Sequence, residues 1–219
     1  MVTLAGAGND AEGWDAWGGL DELRPARWGP PGRVVVVAAH RGDEVLGLGG
    51  TLQALVAAGH DIEVVTLGGG REPGTSSLDQ LGVGPIPVVD LGGADDDPDG
   101  VVALLAKRLV GASWCLTPWR NDGEPEHEWA GAVAAEAASA AGVPLTEYLV
   151  RTWAWAHPGD DRVPWRYARR SAFDHRILAL KELALSRGGG LTPEMRANLL
   201  RSFEVVLQPG PKPGPASAD

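Results

Sequence analysis

The chain is poor in cysteine, in positive charge and in long apolar runs, and each shortage narrows what it can be. A single cysteine, Cys115, among 219 residues has no partner for an internal disulfide, which excludes a disulfide-stapled secreted framework. Nineteen Lys and Arg against 29 Asp and Glu give a formal charge of −10. A general binder of nucleic-acid backbone needs a basic surface, so that class is disfavoured. No stretch approaches the roughly 18 apolar residues of a membrane-spanning helix, and the first residues lack the basic and apolar segments of a secretion signal. The expectation is a cytoplasmic protein with no nucleic-acid or membrane partner. What remains is ordinary for a globular protein, 44% hydrophobic and 22% charged. The length suits one α/β domain, and no second is required.

The chain is organised around residues 34–70. Val34 to Val37 form a short β-branched run of the kind that makes a strand buried on both faces of a parallel sheet. Polar residues arrive as the run ends: His40, Arg41, Asp43 and Glu44. In open α/β sheets ligands sit outside the carboxyl ends of strands, so His40 and Asp43 are candidate metal ligands by position. Gly47, Gly49 and Gly50 follow, and the apolar spacing predicts a helix over 51–59. The glycine spacing does not match the nucleotide-binding Gly-x-Gly-x-x-Gly turn, which leaves a nucleotide-binding reading weak.

Further along, the pattern predicts strands at 62–67, 87–91 and 114–119, helices at 101–110 and 129–141, then a strand at 146–155 and a helix at 174–187. Residues 1–32, acidic and rich in Trp, read as an N-terminal arm over a domain spanning 33–207, with 208–219 a disordered tail. Trp14, Trp17 and Trp28 are expected to pack on the core edge. The acidic run 95–99 reads as a solvated turn, and Arg166, Arg169 and Arg170 as a solvated helix face. His60 reads as surface or structural and His157 as a loop residue. The predicted strand at 114–119 ends in a second polar cluster, Arg120-Asn121-Asp122-Gly123-Glu124-Pro125-Glu126-His127.

These two clusters resemble the signatures of the LmbE-like (PIG-L) family of zinc-dependent N-deacetylases. The family's first motif is Ala-His-Pro-Asp-Asp-Glu before a Leu-Gly-x-Gly-Gly stretch. This chain keeps His40, Asp43 and Glu44 and Leu46 to Gly50, but places Arg41 at the Pro and Gly42 at the first Asp, the family's general base. The second motif is Asp-x-His-Pro-Asp-His. Here Asp122 matches the leading acid and His127 the last His, while Glu124 stands at the other His. The family's Lys is present as Lys181, whereas Ser186 to Gly190 replace its closing His-x-Ser-Gln.

The resemblance implies a Rossmann-like three-layer α/β/α fold with a mostly parallel sheet. It implies a zinc ion held by His40, Asp43 and His127, two imidazoles and a carboxylate, with an open position for water. It also implies hydrolysis of an N-acyl, typically N-acetyl, group on an aminosugar-like small molecule. Arg41, Gly42, Arg71 and Arg120 are candidate substrate contacts. Glycine can move no proton, so Glu124, with Asp122 in reserve, becomes the candidate acid/base. Two alternatives stay open: Glu124 closes the metal site as a fourth ligand, or the pocket binds a metabolite or partner without deacetylating it. A homo-oligomer is compatible with the sequence.

Overall fold

The computed structural model describes residues 11–68, 77–93, 97–186 and 191–209. In chain order its elements are α1 (Ala11–Ala16), β1 (Arg33–Ala38), α2 (Asp43–Ala57), β2 (Asp61–Thr66), β3 (Val88–Asp90), α3 (Pro98–Leu109) and β4 (Trp114–Pro118). Then follow α4 (Pro125–Ala141), β5 (Leu145–Tyr148), α5 (Thr152–Trp155), β6 (Ala168–Ala172), α6 (His175–Ser186), α7 (Pro193–Leu199) and β7 (Phe203–Leu207).

The strands form one sheet in the order β3-β2-β1-β4-β5-β7-β6. The first five are parallel, and β7 runs antiparallel to both β5 and β6. The valine run explains the layering, because alternate residues face opposite sides of a strand. Val34 and Val36 pack with Val45, Leu48, Leu52 and Leu55 of α2 and Leu185 of α6. Val35 and Val37 pack with Leu105 and Leu109 of α3 and Ala130 and Ala134 of α4. The architecture is therefore three-layer α/β/α with a mostly parallel sheet, as expected. Among the described residues no helix is long and apolar enough to cross a membrane.

This topology decides where a site can lie. β1 has β2 on one side and β4 on the other. The chain leaves β1 through α2 towards β2, and leaves β4 through α4 towards β5. The strand order thus reverses between β1 and β4, and their carboxyl ends open the crevice where ligands bind in such sheets.

Several local expectations differ from the structure. The helix after β1 begins at Asp43, because the glycines are themselves helical. The stretch 146–155 divides into β5 and α5, since the amides that would continue the strand are bound by Asp122. Arg169 and Arg170 lie on β6, which the sequence pattern missed together with α7. His60 is buried, a structural residue. Trp14 goes beyond an edge contact: it has no exposed surface and meets Trp153 edge-on at 5.0 Å. Gln208, assigned to the tail, is buried and bonded at both ends of its amide to the backbone of Arg27. Of the acidic run, Asp97 and Asp99 flank the start of α3, and 95–96 lie outside the described residues.

Candidate metal centre

The site grows from the turn after β1. Gly42 has φ 107°, in the region that favours glycine, and this lets the chain reverse directly into α2. Its N–H donates to Glu44 Oε2 at 2.8 Å, while Asp43 Oδ2 accepts the N–H of His40 at 2.7 Å. Glu44 is buried at this turn, and burial pushes its carboxyl up to about 7.

The second half comes from the end of β4 and the start of α4. Pro125 opens α4, where a missing N–H costs nothing, and His127 sits in the first turn. Its ring is 1% exposed, and Nδ1 lies 2.7 Å from Asp122 Oδ2. A carboxylate only accepts, so Nδ1 carries the proton and Nε2 is the atom turned to the site. Nε2 lies 3.3 Å from Asp43 Oδ2 and 3.5 Å from Glu124 Oε2. His40 Nδ1 lies 3.8 Å from the same Asp43 oxygen. Burial disfavours a charged His127, but its hydrogen bonds to Asp122 and Asp43 outweigh this and push the group up to about 10.

Asp122 organises the cluster from behind. Oδ1 accepts the N–H of Val150 at 3.1 Å, the N–H of Thr152 at 2.9 Å and the Thr152 hydroxyl at 2.5 Å. Oδ2 accepts the N–H of Arg151 at 2.8 Å besides His127. The carboxylate is fully buried, so it faces His127 and the start of α5 rather than the crevice. Trp155 Nε1 donates to the Asp122 carbonyl at 2.7 Å and steadies the same turn.

The structure therefore brings His40, Asp43, Asp122, Glu124 and His127 together. One ligand atom from each of His40, Glu124 and His127 lies within 4.8 Å of the others, a spacing that could hold a metal ion. Asp43 approaches both imidazoles through Oδ2, so two carboxylates compete for a place beside the histidines. The donor set, imidazole nitrogen with carboxylate oxygen, fits zinc. Arg41 is exposed beside His40. Arg120 instead pairs with Glu147, its Nε 2.8 Å from Oε1. Arg71 lies outside the described residues. Arg151, whose Nε is 3.2 Å from Glu124 Oε2, was not singled out from sequence. Reading 146–155 as one strand hid it, although a polar residue just past a buried apolar run is the signal that exposed His40.

The glycine-rich segment lies inside α2 and is not a phosphate-binding turn. The N–H groups of Gly50 and Thr51 each donate to Glu204 at 2.8 Å, and Glu204 also meets the buried Lys181 Nζ at 2.6 Å. A Cβ on Gly50 would come 2.1 Å from Phe173.

No protein-family model and no curated protein sequence matches the chain. Solved structures do. The conserved protein TT1542 from Thermus thermophilus superposes with a TM-score of 0.56 at 21% identity, spanning 85% of this chain and 98% of that one. A deacetylase of the teicoplanin biosynthetic pathway, solved as a triple mutant, gives 0.52 at 13% identity over 80% and 97%. The chain has the LmbE-like fold. That fold also carries GalB, the 4-carboxy-2-hydroxymuconate hydratase from Pseudomonas putida, with a TM-score of 0.53 at 15% identity over 85% and 99%. An LmbE-like fold thus fixes where the crevice lies, and the side chains in it decide the reaction.

Proposed function

We propose that the chain is a zinc-dependent hydrolase of the LmbE-like family that removes an N-acyl group, N-acetyl in the first instance, from an aminosugar or related small molecule. The observation that carries this reading is the meeting of His40, Asp43, Glu124 and His127 at the carboxyl ends of β1 and β4. His40, Asp43 and His127 would hold the ion. A zinc ion held there supplies Lewis-acid polarisation of the acyl carbonyl.

The chain's own residues supply the rest. Asp122 holds the Nδ1–H of His127 and so keeps Nε2 directed into the crevice; it is a positioning residue rather than a proton carrier. Glu124, 30% exposed at the crevice, takes a proton from the attacking water and returns it to the leaving amine nitrogen. A C–O bond forms at the acyl carbon, the C–N bond breaks, and the proton passes from water to nitrogen through Glu124. Gly42 offers no side chain for this step, and a positioned acid/base group contributes about 10²–10⁴-fold, so turnover rests on Glu124. Arg41, exposed beside His40, and Gly42 are the proposed substrate contacts. Arg120 is engaged with Glu147 and contributes less directly.

The second reading is a homologue that binds a metabolite without deacetylating it. It draws on the closeness of Glu124 to both histidines, which would let that carboxylate fill the open position. The experiment that separates the readings measures zinc content together with acetate release from a panel of N-acetylated aminosugars, for the protein and its Glu124→Gln variant. The hydrolase reading expects about one zinc in both and acetate from the unmodified protein alone. Zinc without acetate on any substrate favours the second reading, and absence of zinc overturns the hydrolase reading while leaving the second.

A further inference from the structure

Glu124, His127, Asp122 and Arg151 form a closed ring of contacts. Asp122 Oδ2 binds the Nδ1–H of His127 at 2.7 Å and the backbone N–H of Arg151 at 2.8 Å. On the far side, Glu124 Oε2 lies 3.5 Å from Nε2 of the same His127 and 3.2 Å from Nε of the same Arg151. One buried carboxylate thus fixes the two groups between which a second, partly exposed carboxylate is shared.

We propose that Arg151 is a positioning residue that keeps Glu124 out of the metal's coordination shell, so that the carboxylate serves proton transfer and the open position stays with substrate. The inference rests on the hydrolase reading above and settles which of two roles Glu124 takes. Three features support it. Glu124 is the residue before α4, with extended backbone (φ −127°, ψ 125°), and its side chain makes no capping bond to the helix, so it is free to turn to either neighbour. With Arg151 in place the carboxylate already lies within 4.8 Å of a ligand atom of His127 and of His40, near enough for an anionic oxygen to ligate a divalent ion, so the guanidinium on Oε2 is what competes with the ion for it. Arg151 is itself fixed at both ends. Its backbone is held by Asp122, and its guanidinium Nη1 rests 3.8 Å from Met195 Sδ on α7, a helix that also packs on α1 and α5. A planar guanidinium held in this way gives the carboxylate one defined partner.

The test uses the full chain loaded with cobalt(II), whose visible absorption reports coordination number. Four proteins are compared: unmodified, Arg151→Gln, Glu124→Gln and the double variant. Arg151→Gln should bind cobalt about tenfold more tightly, the scale on which neighbouring groups act on metal sites, with altered absorption. Its kcat for acyl release should fall with KM little changed. In the Glu124→Gln background the same Arg151→Gln change should alter neither affinity nor absorption. A gain in affinity that persists in that background reports only the removed positive charge and overturns the proposal. Unchanged or weaker binding in Arg151→Gln overturns it too. Should Arg151→Gln fold poorly, Arg151→Lys replaces it, keeping the charge but losing the planar fork, and is expected to show the same change in smaller measure. If the unmodified protein binds no cobalt, the hydrolase reading falls and this inference with it; if it binds cobalt and the variants are indistinguishable, the inference alone falls.

Discussion

His127 hands its Nδ1–H to Asp122 at 2.7 Å, and neither side chain reaches solvent. This one contact joins the end of β4 to the first turn of α4 and selects the ring nitrogen that faces His40 and Asp43. It also ties the centre to the start of α5, because the same carboxylate binds three backbone amides there.

Asp122→Asn should therefore damage both metal binding and stability. Loss of an outer carboxylate on a ligating histidine costs about 10–100-fold in metal affinity. Breaking a buried charged pair costs about 3–5 kcal/mol. Zinc competition with a chromophoric chelator and urea unfolding would check the two effects, and an unaltered zinc affinity would contradict the positioning role.

Protons compete with metal at His127. Its folded-state pKa is raised to about 10, so below that pH an incoming ion must displace a proton from Nε2. Apparent affinity should rise by about tenfold per pH unit between roughly pH 7 and 9. For the chelator-treated protein, linkage has the opposite sense. A folded pKa above the unfolded one stabilises fully below about 6.5, and that contribution is lost as pH rises through about 10. Metal titrations and melting curves across that window would show both trends.

Gly42 looks like the obvious place to restore a missing carboxylate, and the backbone argues otherwise. At φ 107° a residue with a Cβ is strained by about 1–2 kcal/mol. Gly42→Asp and Gly42→Ala should both melt at lower temperature than the parent. Gly42→Ala is the control, because it carries the strain without the acid. Equal stability of all three proteins would mean that the turn relaxes.

The Lys181–Glu204 pair is buried at both ends, and Glu204 also binds the amides of Gly50 and Thr51 in α2. Lys181→Met leaves that carboxylate without its cation and should cost about 3–5 kcal/mol in urea unfolding. Adding Glu204→Gln should recover part of the loss, since the amide oxygen can still accept one of the two helix N–H groups.

Much of this was legible in the chain. Val34 to Val37 announced a doubly buried strand by composition alone, and the polar residues after it marked the crevice because strand ends are where an α/β sheet leaves side chains free. His40, Asp43, Asp122, Glu124 and His127 could all be named as candidates from their two motifs. Local pattern failed where a distant group overruled it. The stretch 146–155 has the composition of a strand, yet Asp122, some thirty residues earlier, binds its amides and ends the strand at Tyr148. The glycines after Leu46 look like breakers, yet they continue a helix whose flank receives Phe173 and Glu204 from far along the chain.

The sequence by itself determined the layered α/β class and the chemical kinds of group at the centre, because hydrophobic period and residue type are local properties. Only the tertiary structure decided that Asp122 faces His127 and α5 rather than the crevice, that Arg120 is spent on Glu147, and that Arg151 shares Glu124 with His127. Those outcomes depend on which atoms meet across loops and strands distant in sequence. No spacing within one segment encodes such a meeting.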